Sequence, residues 1–329
     1  MNSLKDVILN GEVITVDNFK IIDEYMSKYP EDYIMQYNVD PTWLLDEYRF
    51  GEYKGEIVIY KIKPFAAANI AQIELLPLNI DGKEFSKEVK ALGMNLRLNP
   101  MDYLRCRTSR NSTKPVDTSG GDFVYSKLNN HNLDGKENAN IRLGLNRFTK
   151  NPDFDIKFVK PSEITDSELD EVKALINVYK EYKKELHAPS GYTFHINKYT
   201  DNFRSWAKEF DEKRIMQIIR YKGEIKAFSI SEYINKWNIS MPDRKSMLHE
   251  LPSMQHAFRA MNWLDIDYWV RKLPDSNEIY FNFGSAGNSS KLFETKTRMK
   301  PKLIMINYKF KEVAELDKDI FNIIRGNKK

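Results

Sequence analysis

The sequence predicts a mixed α/β (α+β) protein of two domains. A chain of 329 residues is long for one hydrophobic core, because domains average roughly 150 residues. Apolar residues make up 41% and charged residues 30%, which is typical of globular proteins and excludes fibrous or wholly disordered chains. Helical and strand patterns alternate along the sequence. We place the domains at residues 1–120 and 121–329, because residues 112–123 concentrate Ser, Thr, Pro and Gly.

The first domain is predicted to contain both helices and strands. Apolar residues at three- and four-residue spacing indicate helices, whereas β-branched alternation indicates strands. The Asp40-Pro41 step starts one helix, and Gly93 lies near the end of another. The predicted helices are residues 17–26, 40–48 and 85–96, and the predicted strands are residues 56–62, 71–78 and 101–108.

The second domain has a longer order of predicted elements. Thr165, Ser167 and Glu168 form a capping pattern at the start of a long helix, and Lys222-Gly223 is typical of a hairpin turn. The predicted helices are residues 138–150, 165–186, 200–209, 253–273 and 288–299, and the predicted strands are residues 154–161, two within 214–241, 278–284 and 302–310. The order from residue 214 onward, strand, strand, helix, strand, helix, strand, is similar to that of GNAT acyltransferases. Such an analogy concerns the fold and not the chemistry.

Charge and cysteine content exclude several classes of protein. The 51 Lys and Arg against 47 Asp and Glu leave a net charge of +4, too small to indicate a nucleic-acid or membrane protein by itself. The single cysteine, Cys106, excludes an intramolecular disulfide and fits a reducing compartment. Neither a secretory signal nor an apolar run of the ~20 residues that span a bilayer is present. We therefore expect a cytoplasmic protein without an integral membrane segment.

Motifs for several common chemistries are absent from the sequence. It has no Walker loop, no G-x-S-x-G elbow and no G-x-G-x-x-G turn, which argues against NTPases, serine hydrolases and dinucleotide enzymes. His187 and His195 are not part of an H-E-x-x-H pattern, and the other histidines are dispersed. We predict no metal site.

Three stretches of the sequence resemble the DUF2156 family. They are residues 121–148, with Asn146-Arg147-Phe148 near their end, residues 257–269, and residues 282–301. In the third stretch four residues fall at the family's spacing, namely Asn282, Leu292, Lys296 and Pro301. The N-terminal half is also similar, so the resemblance covers most of the chain. The family's acidic pair near the third stretch is replaced here by Gly284 and Ala286.

The resemblance implies a fold and a class of reaction. Members of DUF2156 include the catalytic domain of phosphatidylglycerol lysyltransferase and, like the related FemABX peptidoglycan enzymes, consist of two tandem GNAT-like domains. The characterised branches move an amino acid from aminoacyl-tRNA to an amine or a lipid hydroxyl. The implied activity is therefore aminoacyl or acyl transfer. The implied donor is aminoacyl-tRNA, which makes tRNA a binding partner, and no bound cofactor is expected. The departures at Gly284 and Ala286 argue against phosphatidylglycerol as the acceptor.

Four residues are candidates for the chemical step. Acyl transfer needs a positioned nucleophile, a proton acceptor and positive or dipolar groups at the developing oxyanion. We assign Lys296 a phosphate or carbonyl contact, Asp122 and Tyr125 the orientation of the nucleophile or a proton relay, and Glu250 general-base catalysis. A solvated lysine, a packed tyrosine and a surface carboxylate are the alternatives that the sequence leaves open.

Donor binding is assigned to basic side chains and to a strand-to-helix turn. Guanidinium and ammonium groups bind phosphates, and free backbone N–H groups at such a turn can hold an anion. The predicted donor-binding residues are Lys136, Arg142, Arg147, Asn282, Gly284, Ser285, Asn288 and Arg298. The alternatives are a solvated helix face for the basic residues and a turn-forming role for Gly284.

Two other classes of function stay open at this stage. An acyl-CoA-dependent N-acetyltransferase is expected to carry a glycine-rich pyrophosphate loop, but residues 241–253 contain no glycine. A non-catalytic, degenerate GNAT pair fits the lost acidic residues, and it predicts salt-dependent RNA binding without transfer.

Overall fold

The computed structural model describes most of the chain. The described residues are 3–29, 47–65, 68–98, 105–106, 113–115, 122–126, 131–185, 200–235, 238–251, 254, 257–273, 279–283, 294, 296–297, 303–305, 308–310 and 315–326. The chain forms two compact units, of which the first comprises residues 1–123, 285–294 and 304–329 and the second residues 124–284 and 295–303. Most of the predicted helices at 40–48 and 288–299 lie outside the described residues.

The described helices and strands alternate along the chain. The α-helices are α1 (Leu4–Asn10), α2 (Phe19–Met26), α3 (Gly82–Ala91), α4 (Ala139–Lys150), α5 (Asp166–Glu185), α6 (Ala207–Phe210), α7 (Ala257–Lys272) and α8 (Lys318–Gly326). The strands are β1 (Glu12–Val13), β2 (Arg49–Tyr53), β3 (Glu56–Phe65), β4 (Ala68–Ile73), β5 (Asn95–Leu96), β6 (Thr113–Pro115), β7 (Asp122–Ser126), β8 (Phe154–Val159), β9 (Arg214–Tyr221), β10 (Glu224–Asn235), β11 (Asn238–Ser246), β12 (Tyr280–Asn282), β13 (Leu303–Met305) and β14 (Tyr308–Phe310).

The first unit is built on a five-stranded sheet in the order β1-β2-β3-β4-β5. Its neighbouring strands are antiparallel except for the parallel pair β4–β5. Apolar residues of α1, α3 and α8 form one buried cluster with the central strands, in which Ile8, Tyr60, Phe85 and Ile324 are fully buried. Burial of this apolar surface is the main stabilising term of the unit.

The C-terminal end of α3 approaches the start of α8 backbone to backbone. Gly93 has φ +70°, and the Asp317 N–H donates to the Leu92 carbonyl at 3.1 Å. A Cβ atom at Gly93 would lie 2.5 Å from both the Glu315 carbonyl oxygen and the Leu316 Cα. Glycine is therefore required here by conformation and by space.

Gly93→Ala is expected to destabilise the protein more than Gly55→Ala. Both glycines have positive φ, but a Cβ at Gly55 would meet nothing within 4 Å. The left-handed conformation costs alanine roughly 1–2 kcal/mol at either position, and overpacking adds about 1–3 kcal/mol at Gly93 alone. Urea denaturation of the two variants measures the difference, and equal losses would contradict the backbone clash.

The second unit is built around a seven-stranded sheet in the order β13-β7-β12-β11-β10-β9-β8. Strands β8 to β11 are antiparallel neighbours, β11 and β12 are parallel, and β12 and β7 are antiparallel. The hairpin between β9 and β10 turns at Lys222-Gly223 as predicted, with φ values of 51° and 85° that suit a primed turn. Because β11 and β12 run in the same direction, their carboxyl ends lie at the same edge of the sheet.

Helices cover both faces of this sheet. The α5 helix packs on one face, where Val172, Ile176 and Phe228 belong to one buried cluster. The α4 and α7 helices share a second cluster, which includes Phe148 and Met261. Within the described ranges, no helix combines the length and the apolar character needed to cross a membrane.

Candidate functional site

Two cationic side chains converge on one backbone carbonyl in the second unit. The carbonyl belongs to Phe283, the residue that follows β12. Lys296 Nζ donates to this oxygen at 2.6 Å, and Arg244 Nη2 donates to it at 3.0 Å. The positive ends of a lysine and an arginine thus meet directly after β12, which ends at Asn282 beside Ser240 of β11.

Lys296 is held in place by Tyr125. The side chain of Lys296 is buried, with 7% of the residue exposed. Its backbone carbonyl accepts a hydrogen bond of 2.9 Å from the Tyr125 hydroxyl. Tyr125 is fully buried, and its ring meets the Phe283 ring edge-on at 4.8 Å. Burial raises the pKa of Tyr125 above its ordinary value, although the nearby Arg244 charge opposes this shift, so the hydroxyl is a neutral donor that fixes the lysine backbone.

Arg244 is fixed by aromatic rings and by one amide. Its guanidinium carbon lies 4.5 Å from the centroid of the Phe283 ring and 5.7 Å from that of Phe258. Its Nη1 donates to Asn262 Oδ1 at 3.4 Å. A cation stacked on aromatic faces and partly removed from water interacts more strongly with a nearby negative charge than an exposed one.

A row of polar residues continues from Arg244 across the sheet. Gln217, Ser229 and Arg244 are register partners on β9, β10 and β11. The α7 helix covers this row with Asn262 and Asp265, which lie one helical turn apart. All of these residues except Arg244 are at most 1% exposed, so the row forms a polar layer inside an otherwise apolar core.

Hydrogen bonds connect this polar layer. Ser229 Oγ donates to Asp265 Oδ2 at 2.7 Å, and Gln217 Nε2 donates to the Met261 carbonyl at 3.4 Å. Burial raises the pKa of Asp265 to about 7, and the Ser229 hydrogen bond and the Arg244 charge only partly offset this shift. A carboxyl with such a pKa changes its charge near neutral pH.

The predicted basic residues of the α4 region have different environments. The Arg142 guanidinium donates to the carbonyls of Leu133 and Gly135, the latter at 2.8 Å, and so holds the loop before the helix. Lys136 is exposed and Arg147 is half-buried. Within the described part of the chain, neither makes a hydrogen bond or an ion pair, which leaves both cations available to an anion.

Glu250 lies apart from the Phe283 carbonyl in its contacts. It is exposed in a 3-10 turn over Leu248–Glu250, and the neighbouring His249 ring lies 4.8 Å from the Tyr182 ring. Glu250 lines a shallow depression of about 310 Å³ beside α5. Among the described residues, no hydrogen bond or ion pair connects its side chain to the groups around Phe283.

The remaining predicted residues are described in part or not at all. Asp122 begins β7, and Asn282 ends β12 as the register partner of Val124. Gly284, Ser285, Asn288 and Arg298 lie outside the described residues. A group of three or more His, Cys, Asp or Glu residues able to hold a metal is not found within the described ranges.

Sequence reasoning missed Arg244, Asn262 and Asp265, together with the facing Gln217 and Ser229. Arg244 lies in residues 241–253, which we interpreted as the junction after the predicted strands and searched only for glycine and for a general base. Asn262 and Asp265 lie in a helix that we read for its apolar stripe. The signal that could have found them is the spacing of Asn262 and Asp265, one turn apart on the same face as buried Met261 and Ile266. Buried polar side chains at such positions need partners.

Solved structures similar to this chain were found, although no family model and no curated protein matches the sequence. A conserved protein of unknown function from Bacteroides thetaiotaomicron has a TM-score of 0.68 and 16% identity, over 91% of this chain and 98% of its own. The C-terminal DUF2156 domain of a putative lysylphosphatidylglycerol synthetase from Agrobacterium fabrum has a TM-score of 0.58 and 13% identity, over 93% of this chain and 96% of its own. L-PGS from Bacillus licheniformis has a TM-score of 0.58 and 13% identity, over 96% of this chain and 98% of its own.

These similarities define the class of fold. The chain shares the fold of these solved structures, and the predicted mixed α/β class is confirmed. The tandem GNAT-like arrangement stays a prediction. More particularly, the resemblance to the DUF2156 domain is confirmed at the level of the fold. At identities of 13–16%, these similarities show a shared fold but do not identify the substrates of this chain.

Proposed function

We propose that this protein is an aminoacyltransferase that moves an amino acid from aminoacyl-tRNA to an amine or hydroxyl acceptor. The observation that carries the proposal is the convergence of Lys296 and Arg244 on the Phe283 carbonyl, directly after strand β12. The similarity to a lysylphosphatidylglycerol synthetase domain supports an aminoacyl donor.

The two cations suit the charge that develops during acyl transfer. The acceptor attacks the acyl carbon, a new C–N or C–O bond forms, and the ester bond to the tRNA ribose breaks. The acceptor loses a proton and the released ribose oxygen gains one. The carbonyl oxygen is negative between these events, and the positive charges of Lys296 and Arg244, held next to each other at the Phe283 carbonyl, stabilise a negative charge bound beside them.

A tRNA donor also fits the free cations near α4. Lys136 and Arg147 have no ion-pair partner among the described residues, and phosphate contacts are the common use of such groups on RNA-binding surfaces. A tRNA donor predicts that affinity falls steeply with salt. An acyl-CoA donor is the second candidate, and the absence of glycine from residues 241–253 argues against it.

The test is to offer the protein both donors separately. Labelled aminoacyl-tRNAs or labelled acetyl-CoA are incubated with the protein and a set of amine and hydroxyl acceptors, and the transferred label is measured. We expect transfer from at least one aminoacyl-tRNA and none from acetyl-CoA. Transfer from acetyl-CoA alone would replace the proposal with the acetyltransferase. Salt-dependent RNA binding without transfer from either donor would replace it with the non-catalytic module.

A further inference from the structure

Asp265 carries a buried carboxylate oxygen without a partner. The residue is 1% exposed. Its Oδ2 accepts from Ser229 at 2.7 Å, whereas its Oδ1 has no hydrogen-bond partner among the described residues. An ionised carboxylate in such a place is costly, because burial removes the water that would satisfy its charge. At this buried position the neutral carboxylic acid has a lower free energy than the ionised carboxylate.

The polar layer can accommodate a proton on Asp265 without moving a side chain. When Asp265 is ionised, the Ser229 hydroxyl donates to Oδ2. When it is neutral, its own hydroxyl can donate to Ser229 Oγ, which then donates to Gln217 Oε1 at 3.5 Å. Gln217 is itself fixed by the Met261 carbonyl. Ser229 therefore serves both protonation states of the carboxyl.

Arg244 is the charged group placed to respond to Asp265. It is the register partner of Ser229 on the next strand, and it donates to Asn262, one turn before Asp265. Its charge lowers the pKa of Asp265, against the larger effect of burial.

The other charged groups around α7 are exposed, half-buried or bound to other partners. On the strands, Lys245 donates to the Arg244 carbonyl at 3.4 Å and Arg214 pairs with Glu232, and before α4 His131 pairs with Asp267. On α4, Arg142, Arg147 and Lys150 are exposed or half-buried, and on the 3-10 turn His249 and Glu250 are exposed. Lys296 contacts the Phe283 carbonyl. On α7 itself the charged residues are Arg259, Asp267, Arg271 and Lys272, which are exposed or half-buried.

We propose that Asp265 is a positioning residue that sets the place of the Arg244 guanidinium according to its own protonation. While Asp265 holds a proton, Arg244 remains on the Phe283 carbonyl beside Lys296. When the proton leaves to solvent, the carboxylate draws Arg244 toward Oδ1 and away from the reacting acyl group. The effect on transfer activity rests on the proposed function. The proton-dependent coupling of Asp265 to Arg244 can be tested without any substrate.

The first experiment measures proton-linked stability. Unfolding by urea is followed from pH 4 to pH 8 in the wild type, in Asp265→Asn and in the control Asp267→Asn, whose carboxylate is paired with His131 and Arg271. The folded protein holds the Asp265 proton more tightly than the unfolded chain, so the wild type loses stability as pH rises. We expect its unfolding constant to rise about tenfold per pH unit relative to Asp265→Asn up to about pH 7. A constant ratio would overturn the proposal, and Asp267→Asn is expected to show no such gain.

The second experiment measures the coupling of Asp265 to Arg244. A double-mutant cycle of Asp265→Asn and Arg244→Gln is closed at pH 5 and at pH 8. The coupling factor is the ratio by which the effect of one substitution on the unfolding constant depends on the other. We expect this factor to be at least tenfold larger at pH 8 than at pH 5, because only the ionised carboxylate attracts the guanidinium. Equal coupling at both pH values would overturn the positioning role.

The third measurement connects the switch to transfer. We expect kcat/KM for transfer to be similar in wild type and Asp265→Asn at pH 5, and about tenfold higher in the variant at pH 8. Parallel pH profiles would overturn the inference, and this comparison does not depend on Arg244→Gln folding. Absence of transfer in both proteins with coupling intact would reject the proposed function and leave the Asp265 switch standing.

Discussion

Replacing Lys296 with methionine is expected to lower the transfer rate by about 10²–10³-fold while the protein stays folded. The substitution removes the ammonium that donates to the Phe283 carbonyl. Methionine fills a similar volume with an unbranched chain. The Phe283 carbonyl still accepts from Arg244, and the Lys296 backbone carbonyl that binds Tyr125 is unchanged. The Phe283 carbonyl therefore keeps a donor, and the loss falls on the reaction.

The matched control for this prediction is Lys272→Met. Lys272 Nζ also donates to a backbone carbonyl, that of Glu212, at 2.7 Å, and it lies on α7 outside the Phe283 region. We expect this variant to retain the wild-type transfer rate. The role of Lys296 would be rejected if Lys296→Met kept its rate, or if the two variants lost activity equally. Circular dichroism of both proteins shows whether they are folded.

Helices and strands were predicted correctly where a few neighbouring residues carry a clear pattern, such as a capping box. The α5 helix was predicted over residues 165–186 and spans Asp166–Glu185, because its capping pattern is genuine: Thr165 and Glu168 exchange side-chain and backbone hydrogen bonds. The short α1 helix and strand β2 were missed. The α1 helix has 7 residues, about two turns, and β2 has the sequence RFGEY, with a glycine and no β-branched residue. Of the strand predicted at 101–108, the structure describes Arg105 and Cys106, which are helical.

Lys296 is the candidate residue that a motif marked. It was predicted from its spacing to Asn282 and Leu292, and its role in transfer stays a prediction. The structure places its ammonium on the Phe283 carbonyl. Arg244 lies on β11, and the parallel pairing of β11 and β12 brings it to the Phe283 carbonyl that Lys296 also contacts. Which strands pair, and in which register, depends on residues far apart in the chain, and local patterns in a single sequence do not predict it.

The polar layer was missed for a related reason. Periodicity assigns Asn262 and Asp265 to a helix, but it does not show that the facing strands contribute Gln217 and Ser229. The chemical meaning of Asp265 depends on its burial, which raises its pKa to about 7. Burial depends on how the helix packs on the sheet. In the sequence alone, a buried aspartate of a helix cannot be distinguished from an exposed one.

Glu232→Gln is expected to lower the free energy of unfolding by about 3–5 kcal/mol. Glu232 and Arg214 form an ion pair between register partners of β10 and β9, and both residues are 2% exposed. The Arg214 guanidinium also lies 4.2 Å from the Trp206 ring centroid. The substitution removes the carboxylate that Glu232 places beside the buried guanidinium, and removing one partner of a buried pair costs more than the ion pair itself contributes.

The control for Glu232→Gln is Glu171→Gln, which breaks a second glutamate pair with a β9 arginine. Arg220 Nη2 donates to Glu171 Oε1 at 3.1 Å, and the side chains are 18% and 39% exposed. A pair that water reaches contributes about 0–1 kcal/mol. The double variant Arg214→Met with Glu232→Leu removes both buried charges and should recover most of the lost stability. Urea denaturation followed by tryptophan fluorescence measures all three. Similar losses for Glu232→Gln and Glu171→Gln, or no recovery in the double variant, would show that desolvation of Arg214 does not determine the cost.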